Sequence, residues 1–231
     1  LGDVYKRQMF LFENVRGLLS HDKGRTFDTI KHTFEGLGYA VQHRVLNACY
    51  FGVGQKRERL IVIGIRNDLA DKAVFEYPEP DKEQTTLRDV LQNVPDSPYQ
   101  PYSEKKRKVM AMVPPGGCWV DLPDDVAREY MGKSYFSGGG RRGMARRIAW
   151  DEPCLTLTTS PSQKQTERCH PDETRPFTVR EYARIQSFPD DWQFEGAIGD
   201  QYKQIGNAVP VELARRVGVE IVRALRSCND N

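Results

Sequence analysis

Residues Gly52–Arg66 read GVGQKRERLIVIGIR. Polar residues Gln55 to Arg59 run straight into Leu60–Ile65, a stretch that is apolar except at Gly64. A run that is apolar at nearly every position, rather than at alternate ones, predicts a buried strand covered on both faces. Two arginines, Arg57 and Arg59, are fixed to the mouth of that strand. Arginines there can guard a strand against edge pairing, although a central strand needs no guard. A planar fork of donors on a rigid strand end also suits recognition of a carbonyl oxygen or a phosphate. From these residues alone both readings stand.

Working outward toward the start of the chain, Tyr39, Val41, His43 and Val45 alternate like a strand. Phe27, Ile30, Phe34 and Leu37 keep helical spacing, with Thr26 as the expected cap and Gly38 as the stop. Phe10–Phe12 is a short strand candidate followed by Glu13-Asn14-Val15. Residues 9–66 thus read as strand, helix, strand, strand, a piece of an α/β sheet. Residues 1–8, LGDVYKRQ, have no apolar periodicity and are set aside as a non-native leader. The chain then drops into a strand at Met9, as if it began mid-domain.

Toward the end of the chain, Tyr77-Pro-Glu-Pro80 marks a boundary. Thr85-Thr86 can cap a short helix that Pro95 ends. Residues 96–176 are irregular, with Pro114-Pro-Gly-Gly117 and Gly138-Gly-Gly140, and predict a loop-rich segment with short strands that displays binding loops. Thr178-Val-Arg-Glu181 is a capping box opening a helix. Pro210 suits the first turn of a final amphipathic helix bearing Val211, Ala214, Val217, Ile221, Val222 and Leu225.

Bulk properties exclude some classes. The 231 residues are 39% hydrophobic and 29% charged, with a mean hydropathy of -0.64, and no apolar run approaches the roughly 20 residues that span a bilayer. The five cysteines contain no CxxC and the four histidines no pair at metal-ligand spacing, so no metal site is expected. Sparse cysteines without a secretory signal suggest free thiols in a reducing cytoplasm. A formal charge of +2 does not by itself argue for nucleic acid. Basic residues are nevertheless clustered at Lys105–Lys108 and at Arg141, Arg142, Arg146 and Arg147, runs that are ordinarily solvated surface.

Besides Arg57 and Arg59, two places can carry chemistry. Glu13-Asn14 follows a buried strand, where ligands of open α/β sheets bind. A glutamate there has an ordinary pKa of about 4.3, and a pocket with little water raises it until the acid can donate to a heterocycle nitrogen. Alone, Glu13 reads rather as a cap for the helix or turn that follows. Gly206 allows close backbone approach and Asn207 brings a short amide just before a helix N-terminus, although such turns occur widely.

Taken in order, Glu13-Asn-Val15, Gln55-Lys-Arg-Glu-Arg59, Arg180-Glu-Tyr-Ala-Arg-Ile-Gln-Ser-Phe-Pro-Asp190 and Gly206-Asn-Ala-Val-Pro210 resemble the later motif blocks of the DNA cytosine-5 methyltransferases, including bacterial restriction-modification methylases. The resemblance covers the chain from Met9 to the last helix. It implies methyl transfer from S-adenosylmethionine to C5 of a cytosine flipped out of double-stranded DNA. A cysteine thiolate would add at C6. Glu13 would engage N3 and the exocyclic amine, Asn14 would order the nucleophile's loop, Arg59 would hold O2, and Arg57 would support the same pocket. Asn207, Ala208 and Val209 would touch the cofactor edge, and Arg180–Gln186 would brace the variable segment.

The fold implied is α/β: a partial Rossmann-like methyltransferase sheet plus a smaller, loop-rich, mainly β target-recognition domain. Residues 9–77 would be the C-terminal half of the catalytic domain and 78–176 the recognition domain. Residues 177–228 would return to the catalytic domain. In this frame Arg141, Arg142, Arg146 and Arg147, with Gln163 and Lys164 in the loop Ser162–Gln165, are the candidate DNA-binding residues.

The family's Phe-x-Gly-x-Gly cofactor loop and Pro-Cys-Gln nucleophile lie upstream of its glutamate block, and neither is present here. Pro153-Cys154 is followed by Leu155, lies downstream of Glu13 and is rejected as the nucleophile in favour of a small buried side chain. The resemblance therefore implies a fragment of a cytoplasmic enzyme, inactive alone, whose partner is the missing N-terminal half and which is a monomer when full length. Half a sheet would leave an open edge and favour aggregation of the chain by itself. One chain of a split methyltransferase, or a DNA-binding protein without chemistry, are the alternatives. The base-pocket residues argue against the second of these.

Overall fold

A computed structural model describes residues 5, 7–136 and 143–228. In chain order the elements are β1 (Met9–Val15), α1 (Arg25–Gly36), β2 (Tyr39–Asn47), β3 (Gln55–Lys56), β4 (Glu58–Arg66), α2 (Leu87–Val90), α3 (Glu104–Ala111), α4 (Asp124–Met131), β5 (Cys154–Leu155), α5 (Val179–Ile185), α6 (Ile198–Asn207) and α7 (Val211–Ser227). They fall into two compact units. The first holds 1–48, 58–80 and 213–231, and the second 49–57 and 81–212.

In the first unit the sheet order is β1-β4-β2, with β4 antiparallel to both neighbours. The apolar run is therefore the middle strand, and Leu60 to Ile63 and Ile65 are buried. Burial on both faces holds as expected, but in an antiparallel setting. Strand periodicity divides the residues of β4. Leu60 and Val62 pack with Phe27 of α1, and Phe12, Val41 and Val45 pack against them. Phe10 lies opposite Gly64 and stacks on Phe34 at 4.3 Å between ring centroids. A Cβ on Gly64 would sit 1.9 Å from the Phe10 ring, so the glycine that interrupts the apolar run is the seat of an aromatic side chain. Arg59, Ile61, Ile63 and Ile65 share the other face.

Helix α1 begins differently from expectation. The chain enters it through left-handed residues Asp22, Lys23 and Gly24, so Thr26 lies inside the first turn and its hydroxyl meets His21 Nδ1 at 2.7 Å. Gly38, at φ +88°, follows the helix end as expected.

The second unit corrects the expectation of a mainly β segment. Among the described residues its strands are only β3 and β5, paired in parallel, plus isolated bridges. The segment 96–176 carries helices α3 and α4 instead. Ser103 caps α3 by accepting from Lys106 N, and Lys108 pairs with Glu104 one turn away. Lys105, Arg107 and Lys108 are therefore the wet side of a helix that buries Val109 and Met110, while Lys106 is half-buried. One core gathers Leu87, Leu157, Phe177, Tyr182, Ile185 and Tyr202, and another gathers Tyr102, Met110, Leu122 and Ala127. No helix among the described residues is long and apolar enough to cross a membrane.

Candidate active site

Glu13 lies opposite Ile61 in the ladder, and Arg59 is two residues before Ile61. Side chains two apart on a strand point the same way, so Glu13 and Arg59 meet on the face that α1 does not cover. Arg59 Nε donates to Glu13 Oε1 at 2.7 Å, and its Nη1 donates to the Glu58 carbonyl at 2.8 Å. Arg59 Nη2 and Glu13 Oε2 make no hydrogen bond among the described residues. Burial pulls the Arg59 guanidinium below its ordinary value, against the opposing pull of Glu13. The pair thus presents a carboxylate oxygen beside guanidinium donors, in a partly dry setting with the Glu13 side chain one-quarter exposed. Asn14 Oδ1 accepts from Val15 N at 2.9 Å and shapes the turn that follows the strand. Arg16 and Glu58 close the strand ends at 2.9 Å.

Arg57 belongs to a different environment, inside the second unit. It is 3% exposed and donates to the carbonyls of Leu157 at 3.0 Å, Gly206 at 2.8 Å and Ala208 at 3.1 Å. Gln55, fully buried, donates to Gln186 Oε1 and accepts from Leu157 N. Gln186 in turn donates to the carbonyls of Ile205 at 2.9 Å and Ala208 at 2.8 Å. Gln55 and Arg57 alternate with exposed Lys56, so strand periodicity buries one pair and leaves the other residue wet. Three of the sequence blocks are joined by this one network: 55–59, 180–190 and 206–210.

Asn207 ends α6 with an exposed side chain that has no partner among the described residues, while Ala208 and Val209 are half-buried. Gly206 does permit a close backbone approach, but to this chain: a Cβ there would lie 2.3 Å from the Thr158 carbonyl oxygen. Arg141 and Arg142 lie outside the described residues. Arg147 is buried and donates to Val113, His170, Pro171, Glu173 and Met110 carbonyls and to Thr174. Arg146 pairs with Glu152 at 2.6 Å and donates to the Gly116 carbonyl. Both guanidinium groups are turned onto this chain's own acceptors, so the arginine run does not present them to a ligand. Gln163 and Lys164 are exposed, with the Lys164 ammonium 4.9 Å from the centre of the Tyr130 ring.

Comparison with known proteins gives this geometry its context. Residues 3–223 match the C-5 cytosine-specific DNA methylases. The chain belongs to that family. The type II methyltransferase M.Sau96I of Staphylococcus aureus is 59% identical over 226 residues, which are 97% of this chain and 53% of that protein. M.Eco47II of Escherichia coli is 55% identical over 230 residues, covering 96% and 55%. The chain therefore spans about half the length of these curated relatives. Among solved structures, the S. pombe Dnmt2 methyltransferase shares the fold with a TM-score of 0.58 at 16% identity, over 94% of this chain and 67% of that one.

Within this C5-methylase chain, Cys154 is fully buried and burial pushes its thiol up to about 12. A thiol so rarely ionised is a poor nucleophile at neutral pH, as its position in the sequence already indicated. Sequence reasoning took Tyr182 and Gln186 only as part of the bracing block Arg180–Gln186 and gave neither a contact of its own. Tyr182 Oη donates to the Thr158 carbonyl at 2.8 Å and accepts from Thr158 N at 3.1 Å. Their only sequence signal was a polar side chain inside the Arg180–Asp190 block, next to apolar positions of a capped helix.

Proposed function

We propose that this chain carries the base pocket and the DNA-recognition portion of a DNA cytosine-5 methyltransferase of a bacterial restriction-modification system. The observation that carries the reading is the Glu13–Arg59 pair. Cytosine offers along one edge an amine donor, the N3 acceptor and the O2 acceptor. A carboxyl group placed beside a guanidinium matches that edge. Glu13 accepts from the amine and, when protonated, donates to N3, while Arg59 Nη2 donates to O2. Holding a proton at N3 offsets the charge that nucleophilic addition to the ring builds up, and a rigid two-strand mount keeps the two groups in register. Such an edge is reached only when the base leaves the stack, so the substrate is double-stranded DNA with one cytosine extruded.

S-adenosylmethionine supplies the methyl group when bound. The free Asn207 amide and half-buried Ala208 and Val209 fit contact with an edge of that cofactor, because the Ala208 carbonyl is already fixed by Arg57 and Gln186. Asn14 shapes the turn beside the pocket. Residues 9–77 and the final helix would belong to a Rossmann-like catalytic domain, and 78–176 to target recognition. The Pro-Cys-Gln nucleophile and glycine-rich loop would come from a segment outside these 231 residues, which the half-length match to the relatives supports. The whole enzyme would act as a monomer in the cytoplasm.

The test is to combine the chain with such a segment and follow transfer of a tritiated methyl group into duplex DNA. Glu13→Gln keeps the shape and the amine contact of one oxygen but cannot give up and retake a proton. It is expected to lower the rate about 100-fold or more with DNA affinity within about threefold. Transfer at the wild-type rate would overturn the assignment of Glu13. DNA binding with no methyl transfer by the wild-type combination would favour a binding protein without chemistry.

A further inference from the structure

The recognition reading leaves open which side chain discriminates between bases, and the loop Thr159–Gln165 of the second unit narrows it. Both ends of this loop are fastened. At its start, Thr158 is gripped by Tyr182 Oη and lies against Gly206, which ties the loop to the network of Gln55, Arg57 and Gln186. The Thr158 hydroxyl also reaches the Ser160 carbonyl at 3.0 Å and the Thr166 hydroxyl at 3.2 Å. That last contact closes the loop across its neck.

On its other side the loop hangs on Lys106. The Lys106 ammonium donates to the Ser162 carbonyl at 2.7 Å and pairs with Glu167 at 2.5 Å. Glu167 has no exposed surface, and its carboxylate also accepts from Tyr130 Oη and from Ala145 N at 2.7 Å. An ion pair enclosed in this way holds its geometry firmly, because separating it would leave a buried charge uncompensated.

The tip therefore presents three polar side chains in a fixed arrangement, and they are not equivalent. Gln163 is exposed but tied to its own loop: its Oε1 accepts from the Thr166 hydroxyl at 3.3 Å and its carbonyl from Thr166 N at 3.0 Å. The Lys164 ammonium rests over the Tyr130 ring and suits a phosphate. Gln165 is exposed, and its amide has no partner among the described residues. Its backbone is seated, since a Cβ on Gly143 would stand 3.1 Å from the Gln165 carbonyl oxygen. An amide with its donor and acceptor both unused, on a seated backbone, can make a bidentate contact with a base edge. The Gln163 amide would have to share its oxygen with the Thr166 hydroxyl to do the same.

We propose that Gln165 is a specificity-determining residue that reads one base pair of the DNA site, with Lys106 as the positioning residue that sets the loop. The proposal rests on the recognition reading above. It is tested by selection from a library of duplexes with a randomised core, using the full chain combined with the cysteine-bearing segment. Gln165→Ala is expected to flatten the preference at one base-pair position by about 5- to 150-fold. Gln163→Ala should keep it within about twofold. Lys106→Met should blur that same position, and Lys106→Arg, which retains the charge if Met prevents folding, should restore it. If Gln165→Ala selects the wild-type sequence at every position, the proposal is overturned while the recognition reading stands. If the wild-type combination selects no sequence at all, the recognition reading fails and this proposal with it.

Discussion

Between Arg57 and Arg59 the chain passes from a guanidinium enclosed by backbone carbonyls to one that shares a carboxylate on the face of a sheet. The family resemblance set both in one pocket, Arg59 on the cytosine O2 and Arg57 in support. The distinction was not legible, since the acceptors of Arg57 lie 100 and about 150 residues further along the chain. It has a measurable consequence. Arg57→Met removes a buried cation whose three acceptors are left short of donors, and is expected to cost about 3 kcal/mol, read as a lowered urea midpoint by tryptophan fluorescence. Arg59→Met loses a partly exposed ion pair and should cost about 1 kcal/mol or less, read by far-ultraviolet circular dichroism, while abolishing methyl transfer in the combined enzyme. Equal destabilisation by the two substitutions would show that Arg57 has no special structural part.

At the scale of elements, the middle strand β4 is tuned by its one small residue. Gly64→Ala would drive a methyl group into the Phe10 ring, and overpacking of this kind costs about 1–3 kcal/mol. With Phe10→Leu as background, the same change should cost under about 1 kcal/mol. A double-mutant cycle should therefore show a coupling of at least about 1 kcal/mol, and additive effects would reject the account. Strands β1, β2 and β4 were legible from their apolar patterns, and α5 from its capping box, where Glu181 N donates to the Thr178 hydroxyl and Thr178 N to the Glu181 carboxylate. These are local signals. Helix α3 was hidden because its exposed turn reads as a plain charge run, with its buried residues Val109 and Met110 only at the end.

Glu181 also reaches beyond its own helix, to Arg175 at 2.7 Å and to His170 Nε2 at 3.7 Å. His170 is packed between Trp150 and Phe177, and its Nδ1 accepts from the backbone N–H groups of Asp172 and Glu173. Burial is the main reason that its pKa is held below the ordinary value, aided by Arg175 and opposed by Glu181, Glu173 and Asp172. A base with a lowered folded-state pKa binds its proton more readily when unfolded. Stability is therefore full above the unfolded value of about 6.5 and declines as pH falls through it. Unfolding of the second unit should shift to lower temperature between about pH 7 and 5.5, and His170→Gln should flatten that slope. A midpoint that rises on acidification would contradict the sign.

Across the whole molecule, the chain passes between its two compact units after residues 48, 57, 80 and 212. Each unit has its own buried cluster, so the simplest all-or-none unfolding is not guaranteed by size alone. All three tryptophans, Trp119, Trp150 and Trp192, lie in the second unit, so fluorescence reports that unit while circular dichroism reports helices and strands of both. The two signals should give separate urea transitions. Arg57→Met should move the fluorescence transition and Gly64→Ala only the other component of the dichroism. This partition follows from where the substituted residues are bonded: Arg57 to Leu157, Gly206 and Ala208, and Gly64 against Phe10. Coincident transitions in the wild type, moving together in both variants, would mean instead that the units unfold as one cooperative body.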